Sequence, residues 1–159
     1  MNDVAIVGLG PVGATLALLL REQGIRSLII ERDTDVVPFP RAAHFDDEII
    51  RTLQNVGLGH LAERMEIPDR YSFFDVDWAM FLDRVYPKGL SDQGYAHDYM
   101  FFQPDLERDL RAELMRGPLA PTVLLGTEVT SILQDAQGVT IATSAGEYRA
   151  SMRPRKARC

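Results

Sequence analysis

Cysteine, histidine and long apolar runs are among what this sequence has least of. Its one cysteine, Cys159, has no partner for an internal disulfide and leaves no thiolate pair for a metal site. The three histidines, His44, His60 and His97, show no ligand spacing, so no metal site is expected. No run of about 18 apolar residues occurs, which excludes a membrane-spanning helix by length. The first apolar run begins at Val4, leaving no room for a signal peptide, and the expected location is the cytoplasm.

An excess of positive charge is also missing. The chain carries 17 basic and 23 acidic side chains, a net of -6, which speaks against a general nucleic-acid binder. The distribution is uneven: Ser151 to Cys159 hold Arg153, Arg155, Lys156 and Arg158 and no acid, so residues 1–150 carry 13 bases against 23 acids. What is present in quantity is apolar surface, 46% of 159 residues, ample for the core of one domain.

The stretch that organises the chain is Val4-Ala5-Ile6-Val7-Gly8-Leu9-Gly10-Pro11-Val12-Gly13, an apolar run ending in glycines spaced G-x-G-x-x-G. It reads as a buried parallel strand turning directly into a helix. Gly8 allows the tight turn, Gly10 lets backbone approach a pyrophosphate with no Cβ in the way, and Gly13 lets the helix pack closely on the strand. The phosphates would sit on free N–H groups at the positive end of the helix dipole. Three such glycines are a weak signal alone, but the context agrees. The helix carries Leu16, Leu19 and Leu20 with small Ala14 and Ala17, and Gly24 suits its C-terminal cap. A second run, Ser27-Leu28-Ile29-Ile30, ends in Glu31, placed where a βαβ nucleotide fold needs an acid for the ribose hydroxyls of an adenosine.

A loop with Pro38 and Pro40 then delivers Arg41-Ala42-Ala43-His44 to a helix starting near Asp46. Asp46, Asp47 and Glu48 suit its first turn as caps, Ile49, Ile50, Leu53 and Val56 form its apolar stripe, and Gly57 ends it. Tyr71 to Val76 and Ala79 to Val85 read as two β-segments, an antiparallel excursion whose aromatics are either core or a pocket lining. Pro104 fits the first position of a helix with Leu106, Leu110 and Leu114 on one face, which leaves Gln103 at the cap with its side chain free to reach outward. Four short strands follow, Val123 to Leu125, Glu128 to Leu133, Gly138 to Thr143 and Glu147 to Ala150, and their turns point to a β-meander.

Three blocks carry a family resemblance: Gly8 to Gly13 through Glu31-Arg32, then Pro40-Arg41-Ala42-Ala43-His44-Phe45-Asp46-Asp47-Glu48, then Gln103-Pro104-Asp105-Leu106-Glu107. With them the sequence resembles the FAD-dependent aromatic hydroxylases, group A flavoprotein monooxygenases, and within these the 3-(3-hydroxyphenyl)propionate hydroxylases. The resemblance covers residue 1 to about Ala150. It implies an α/β fold, Rossmann-like and FAD-binding, with an antiparallel β-meander and a partial β-rich substrate-domain excursion over residues 68–97, truncated at the C-terminus. By the same resemblance, the backbone of Gly8, Gly10, Pro11, Val12 and Gly13 holds the FAD pyrophosphate and Glu31 the adenosine ribose. Arg32 lies beside the adenine, whose edge meets the backbone of Val129. Arg41 pairs with the phosphates or ribityl chain, Gln103 hydrogen-bonds the ribityl region, and His44 lies nearest the flavin. NAD(P)H is the implied electron donor and a small phenolic compound the implied substrate. No catalytic residue is identified.

The resemblance ends at Ser151-Met152-Arg153-Pro154-Arg155-Lys156-Ala157-Arg158-Cys159. Family members continue there with an apolar strand and an Asp-Gly motif, and later a Gly-Asp motif, none of which this sequence contains. The expectation is that residues 151–159 stem from a frameshift or premature stop and that the chain is inactive by itself; the rival is a natural basic tail. Two other functions stay open, the nucleotide domain of an NAD-dependent dehydrogenase and a non-catalytic partner-binding fragment.

Overall fold

The computed structural model describes residues 2–136 and 138–151. In chain order the elements are β1 (Val4–Val7), α1 (Pro11–Glu22), β2 (Ser27–Ile30), β3 (His44–Asp46), α2 (Asp47–Asn55) and a 3-10 turn (Gly59–Arg64). They continue with β4 (Arg70–Phe74), β5 (Met80–Val85), β6 (Asp98–Met100) and α3 (Gln103–Leu114). The last four strands are β7 (Thr122–Leu124), β8 (Val129–Asp135), β9 (Gly138–Thr143) and β10 (Gly146–Ser151). The chain divides into two compact units, one built from the chain before Pro40 and after Gln103, the other from Pro40–Gln103.

The first unit is the expected βαβ fold. β1 and β2 run parallel, Val4 beside Ser27 through Val7 beside Ile30, and every residue of β2 is buried. α1 buries Ala14, Ala17 and Leu18, positions spaced three and four apart, while Leu16 is 43% exposed. Small alanines on that face let the helix axis approach the sheet. The helix stops at Gln23, with Gly24 at φ +69°. α3 buries Leu106, Leu110 and Leu114, and truncating any one of them to alanine should cost about 2–5 kcal/mol. Arg21 ties the end of α1 to the end of α3, its Nη1 donating to the Glu113 carbonyl at 2.7 Å and its Nη2 to the Glu113 carboxylate at 3.0 Å.

β7 corrects one expectation. It is not part of the meander but pairs parallel with β2, Leu28 beside Thr122 through Ile30 beside Leu124, giving a sheet of order β1-β2-β7. A three-residue strand after a helix looks the same in sequence whichever partner it takes; the α3 crossover is what returns it to the parallel sheet. β8, β9 and β10 do form an antiparallel meander, and Ile141 packs with Leu28 and Ile30, with Val129, Val139 and Tyr148 around them. Gln137 and, of the basic tail 151–159, residues 152–159 lie outside the described residues.

In the second unit Asp46 caps α2, its carboxylate accepting from the Ile49 amide; Ile50, Leu53 and Val56 of the expected stripe are buried, but Ile49, in the first turn, is 42% exposed. β3 pairs antiparallel with β6, two strands too short for an alternation signal. β4 and β5 form the expected hairpin. Its turn is organised by Asp75, which accepts from the Asp77 and Ala79 amides at 2.9 Å, and Trp78 sits there at φ +61°. The aromatics of this hairpin are not core: Phe81 is 68% and Trp78 82% exposed, because a two-stranded ribbon alone has no layer to bury them against.

Candidate functional site

The glycine-rich turn is built by three glycines with three different causes. Gly8 has φ +101°, a region that L side chains avoid, and its amide donates to the Ile30 carbonyl at 2.8 Å. At Gly13 an added Cβ would lie 2.1 Å from the Gly8 carbonyl oxygen, so the helix-to-turn contact itself forbids a side chain. Gly10 differs from both. Its φ is -73° and nothing lies within 4 Å of an added Cβ, so neither backbone nor packing within the chain requires glycine there. A hollow of about 510 Å3 opens at this point, lined by Val7, Gly8, Gly10, Pro11, Val12 and Gly13 among others. Pro11 starts α1 and has no N–H, while the amides of Val12 and Gly13 belong to the first turn and have no intrahelical acceptor. A diphosphate fits this cradle: donors at a positive helix end and a glycine left bare for something outside the chain.

Glu31 stands at the end of β2 as the motif predicts, but its carboxylate is already engaged. Oε2 accepts from the Leu9 amide at 2.6 Å and Oε1 from the Asp33 amide at 2.9 Å. The acid therefore braces the glycine-rich turn, a task its ribose assignment did not foresee. A carboxylate has about four acceptor positions, so hydroxyls can still bind the remaining lone pairs. Burial pushes the carboxyl up, yet the backbone donors of Asp33, Leu9 and Arg32 and the charge of Arg111 outweigh it and hold it below its ordinary value. Arg32 is exposed, and Val129 opens β8 just after Thr127, whose amide donates to the Glu31 carbonyl at 2.9 Å. The first unit thus gathers Gly8, Gly10, Pro11, Val12, Gly13, Glu31, Arg32 and Val129.

Arg111 is a residue the sequence reading missed. Its Nη2 donates to the Leu9 carbonyl at 3.3 Å and lies 3.6 Å from Glu107, a buried carboxylate one turn earlier on α3. The only signal in sequence was the i, i+4 pair of Glu107 and Arg111, which on an ordinary helix is a surface ion pair.

In the second unit Arg41 is exposed and Gln103 only 4% so. The expectation that the Gln103 side chain reaches outward is overturned: its Oε1 accepts from the amides of Arg41 at 2.8 Å and Ala42 at 2.9 Å. An amide oxygen with two lone pairs satisfies two consecutive N–H groups of a segment with no regular secondary structure, which is why the side chain turns inward.

A second cluster in this unit centres on buried Asp98. Tyr86 donates its hydroxyl to Oδ2 at 2.6 Å, Tyr71 to Oδ1 at 3.4 Å, and His44 Nδ1 lies 3.3 Å from Oδ2. Burial first, then the hydrogen bond and charge of Asp98, push the Tyr86 hydroxyl up to about 12; Tyr71 is raised by the same causes. The resemblance sets His44 nearest the flavin; sheet pairing of β3 and β6 brings Asp98 to it from 54 residues away. Among the described residues no group of three or more His, Cys, Asp or Glu is arranged to hold a metal ion, and no helix is long and apolar enough to cross a membrane.

Residues 1–151 match the family model described as FAD binding domain. A 3-(3-hydroxy-phenyl)propionate/3-hydroxycinnamic acid hydroxylase of Paraburkholderia xenovorans (strain LB400) is 36% identical over 139 residues, 87% of this chain and 22% of that protein. The crystal structure of p-nitrophenol 4-monooxygenase PnpA from Pseudomonas putida DLL-E4 superposes with a TM-score of 0.80 at 24% identity, covering 95% of this chain and 39% of that one. The flavin-dependent monooxygenase PieE, solved in complex with FAD and substrate, gives a TM-score of 0.77 at 21% identity over 94% of this chain and 29% of its own. The chain spans about a quarter of the length of the curated relatives it matches.

Proposed function

The chain belongs to the family described as FAD binding domain, and from that premise we propose that it is the N-terminal, cofactor-holding portion of a monooxygenase that hydroxylates phenolic rings with NAD(P)H and O2. The observation that carries the reading is Gly10, a glycine with ordinary dihedrals and empty space at its Cβ position, beside helix-end donors with no acceptor in their own helix. That combination is explained by a diphosphate lying against the backbone.

The roles assigned to the side chains are binding and orientation. Gly10, Val12 and Gly13 offer amides to the pyrophosphate, with Gly8 and Pro11 shaping the turn. Glu31, its carboxylate kept ionised by backbone donors, takes the adenosine ribose, with Arg32 and the backbone of Val129 at the adenine. Arg41, exposed and permanently charged, pairs with phosphate or ribityl oxygens, and Gln103 fixes the backbone from which Arg41 projects. Bound FAD would supply the redox chemistry that couples NAD(P)H and O2 to ring hydroxylation. The nicotinamide donor and small aromatic substrate suit a cytoplasmic reaction.

Calorimetric titration of the purified chain with FAD and with NAD tests the reading. FAD is expected to bind the tighter, because Arg41, held in place by Gln103, suits the longer flavin dinucleotide. Tighter binding of NAD would overturn the proposal in favour of a dehydrogenase domain.

A further inference from the structure

The two polar groups of Leu9 are held by side chains from two different elements. Its N–H goes to Glu31 at the end of β2, and its carbonyl to Arg111 on α3. Leu9 is itself buried, and neither it nor Arg111 lines the hollow of Gly8 and Gly10.

The carbonyl of Leu9 and the N–H of Gly10 belong to one peptide plane, and no peptide here is cis. In a trans peptide the C=O and N–H point in opposite directions. Drawing the Leu9 carbonyl inward onto Arg111 therefore turns the Gly10 N–H outward. The arrangement is kept at a cost: Arg111 Nε is buried with no hydrogen-bond partner among the described residues, while Nη2 stays on Leu9. The charge matters as well. Glu31 and buried Glu107 put two carboxylates near a turn that faces an anionic ligand, and the charge of Arg111, 3.6 Å from Glu107 and felt by Glu31, offsets that field.

We propose that Arg111 is a positioning residue for dinucleotide binding: from outside the hollow it aims the Gly10 N–H at the diphosphate and offsets the neighbouring carboxylates, without touching the ligand. This rests on the FAD-binding reading above. It adds to the family motif a residue 98 positions beyond Gly13 that sequence spacing does not pick out.

The test compares ADP with adenosine, which lacks the phosphates, on the whole 159-residue chain and its Arg111→Met and Arg111→Lys variants, with urea unfolding recorded for each. Arg111→Met keeps the length and removes donor and charge; ADP should bind about tenfold more weakly while adenosine is unchanged. Arg111→Lys keeps the charge but not the planar fork, and should recover part of the loss. Equal losses for ADP and adenosine, or no loss for either, overturn the proposal, since a packing role would not single out phosphate. Should Arg111→Met fail to fold, Arg111→Lys carries the same comparison, with about a threefold loss expected for ADP alone. Failure of the unsubstituted chain to bind ADP or FAD sinks the cofactor reading and the proposal together; intact ADP binding by Arg111→Met sinks the proposal alone.

Discussion

Gln103 holds the backbone at Arg41: one side-chain oxygen accepts the amides of Arg41 and its neighbour Ala42 at 2.8 and 2.9 Å, across 62 residues of sequence. The two residues of the family resemblance that sequence treats as separate cofactor contacts are thus one structural pair. Gln103→Ala leaves both amides without their acceptor and is expected to destabilise the chain by about 1–3 kcal/mol in urea unfolding. FAD affinity should fall with it even where the protein remains folded, because the guanidinium of Arg41 loses its fixed base. An unchanged unfolding midpoint would show that water replaces the side chain without loss.

Gly10 and Gly13 should separate binding from folding. Gly13→Ala places a methyl 2.1 Å from the Gly8 carbonyl oxygen, so circular dichroism and thermal unfolding should show a grossly destabilised chain. At Gly10 an added Cβ meets no atom within 4 Å, so Gly10→Val should fold as well as the parent, yet bind no FAD or ADP. Retained nucleotide binding by folded Gly10→Val would mean that the phosphates lie elsewhere.

Glu31 should give the chain an acid limb of stability. Its folded-state carboxyl lies below the ordinary value, so its contribution is full above that value and is lost as pH falls through the lower, folded one. Glu31→Gln has one acceptor oxygen where the carboxylate has two, so one of the Leu9 and Asp33 amides loses its partner. A loss of about 1–2 kcal/mol at neutral pH is expected, with less difference from the parent under acid, both read by denaturant unfolding.

Tyr86 should act at the other end of the pH scale. With its hydroxyl pushed up to about 12 by burial and by Asp98, folding is favoured below the ordinary tyrosine value of about 10, and that contribution is lost as pH rises towards 12. Asp98→Asn removes the charge but not the burial, so ultraviolet phenolate titration should show the Tyr86 transition lowered yet still above that of a free tyrosine. No movement would mean that burial alone sets it.

Residues 1–159 by themselves should bind adenine nucleotides and not hydroxylate phenols. The chain corresponds to about a quarter of its hydroxylase relatives, and FAD is an extended molecule whose adenosine half alone is met by the βαβ unit. Flavin absorbance per chain should be well below stoichiometric, and phenol-dependent NAD(P)H oxidation absent. Near-stoichiometric flavin with coupled ring hydroxylation would contradict this.

The first 31 residues were legible because each local signal agrees with the fold: an apolar strand, glycines at fixed spacing, a helix ending at a glycine cap, a second strand closed by an acid. Periodicity and capping likewise gave α2 with Asp46 at its cap, the β4–β5 hairpin, and the leucine face of α3. These are properties of consecutive residues, and consecutive residues are what a sequence lists. Tertiary structure alone decided the rest. It assigned β7 to the parallel sheet, turned the Gln103 side chain inward, engaged Glu31 with the Leu9 amide, and brought Arg111 to Leu9 and Asp98 to His44. Each is a pairing between distant segments, settled by which buried polar group must find a partner once the chain has closed on itself, and spacing along the chain does not encode that demand.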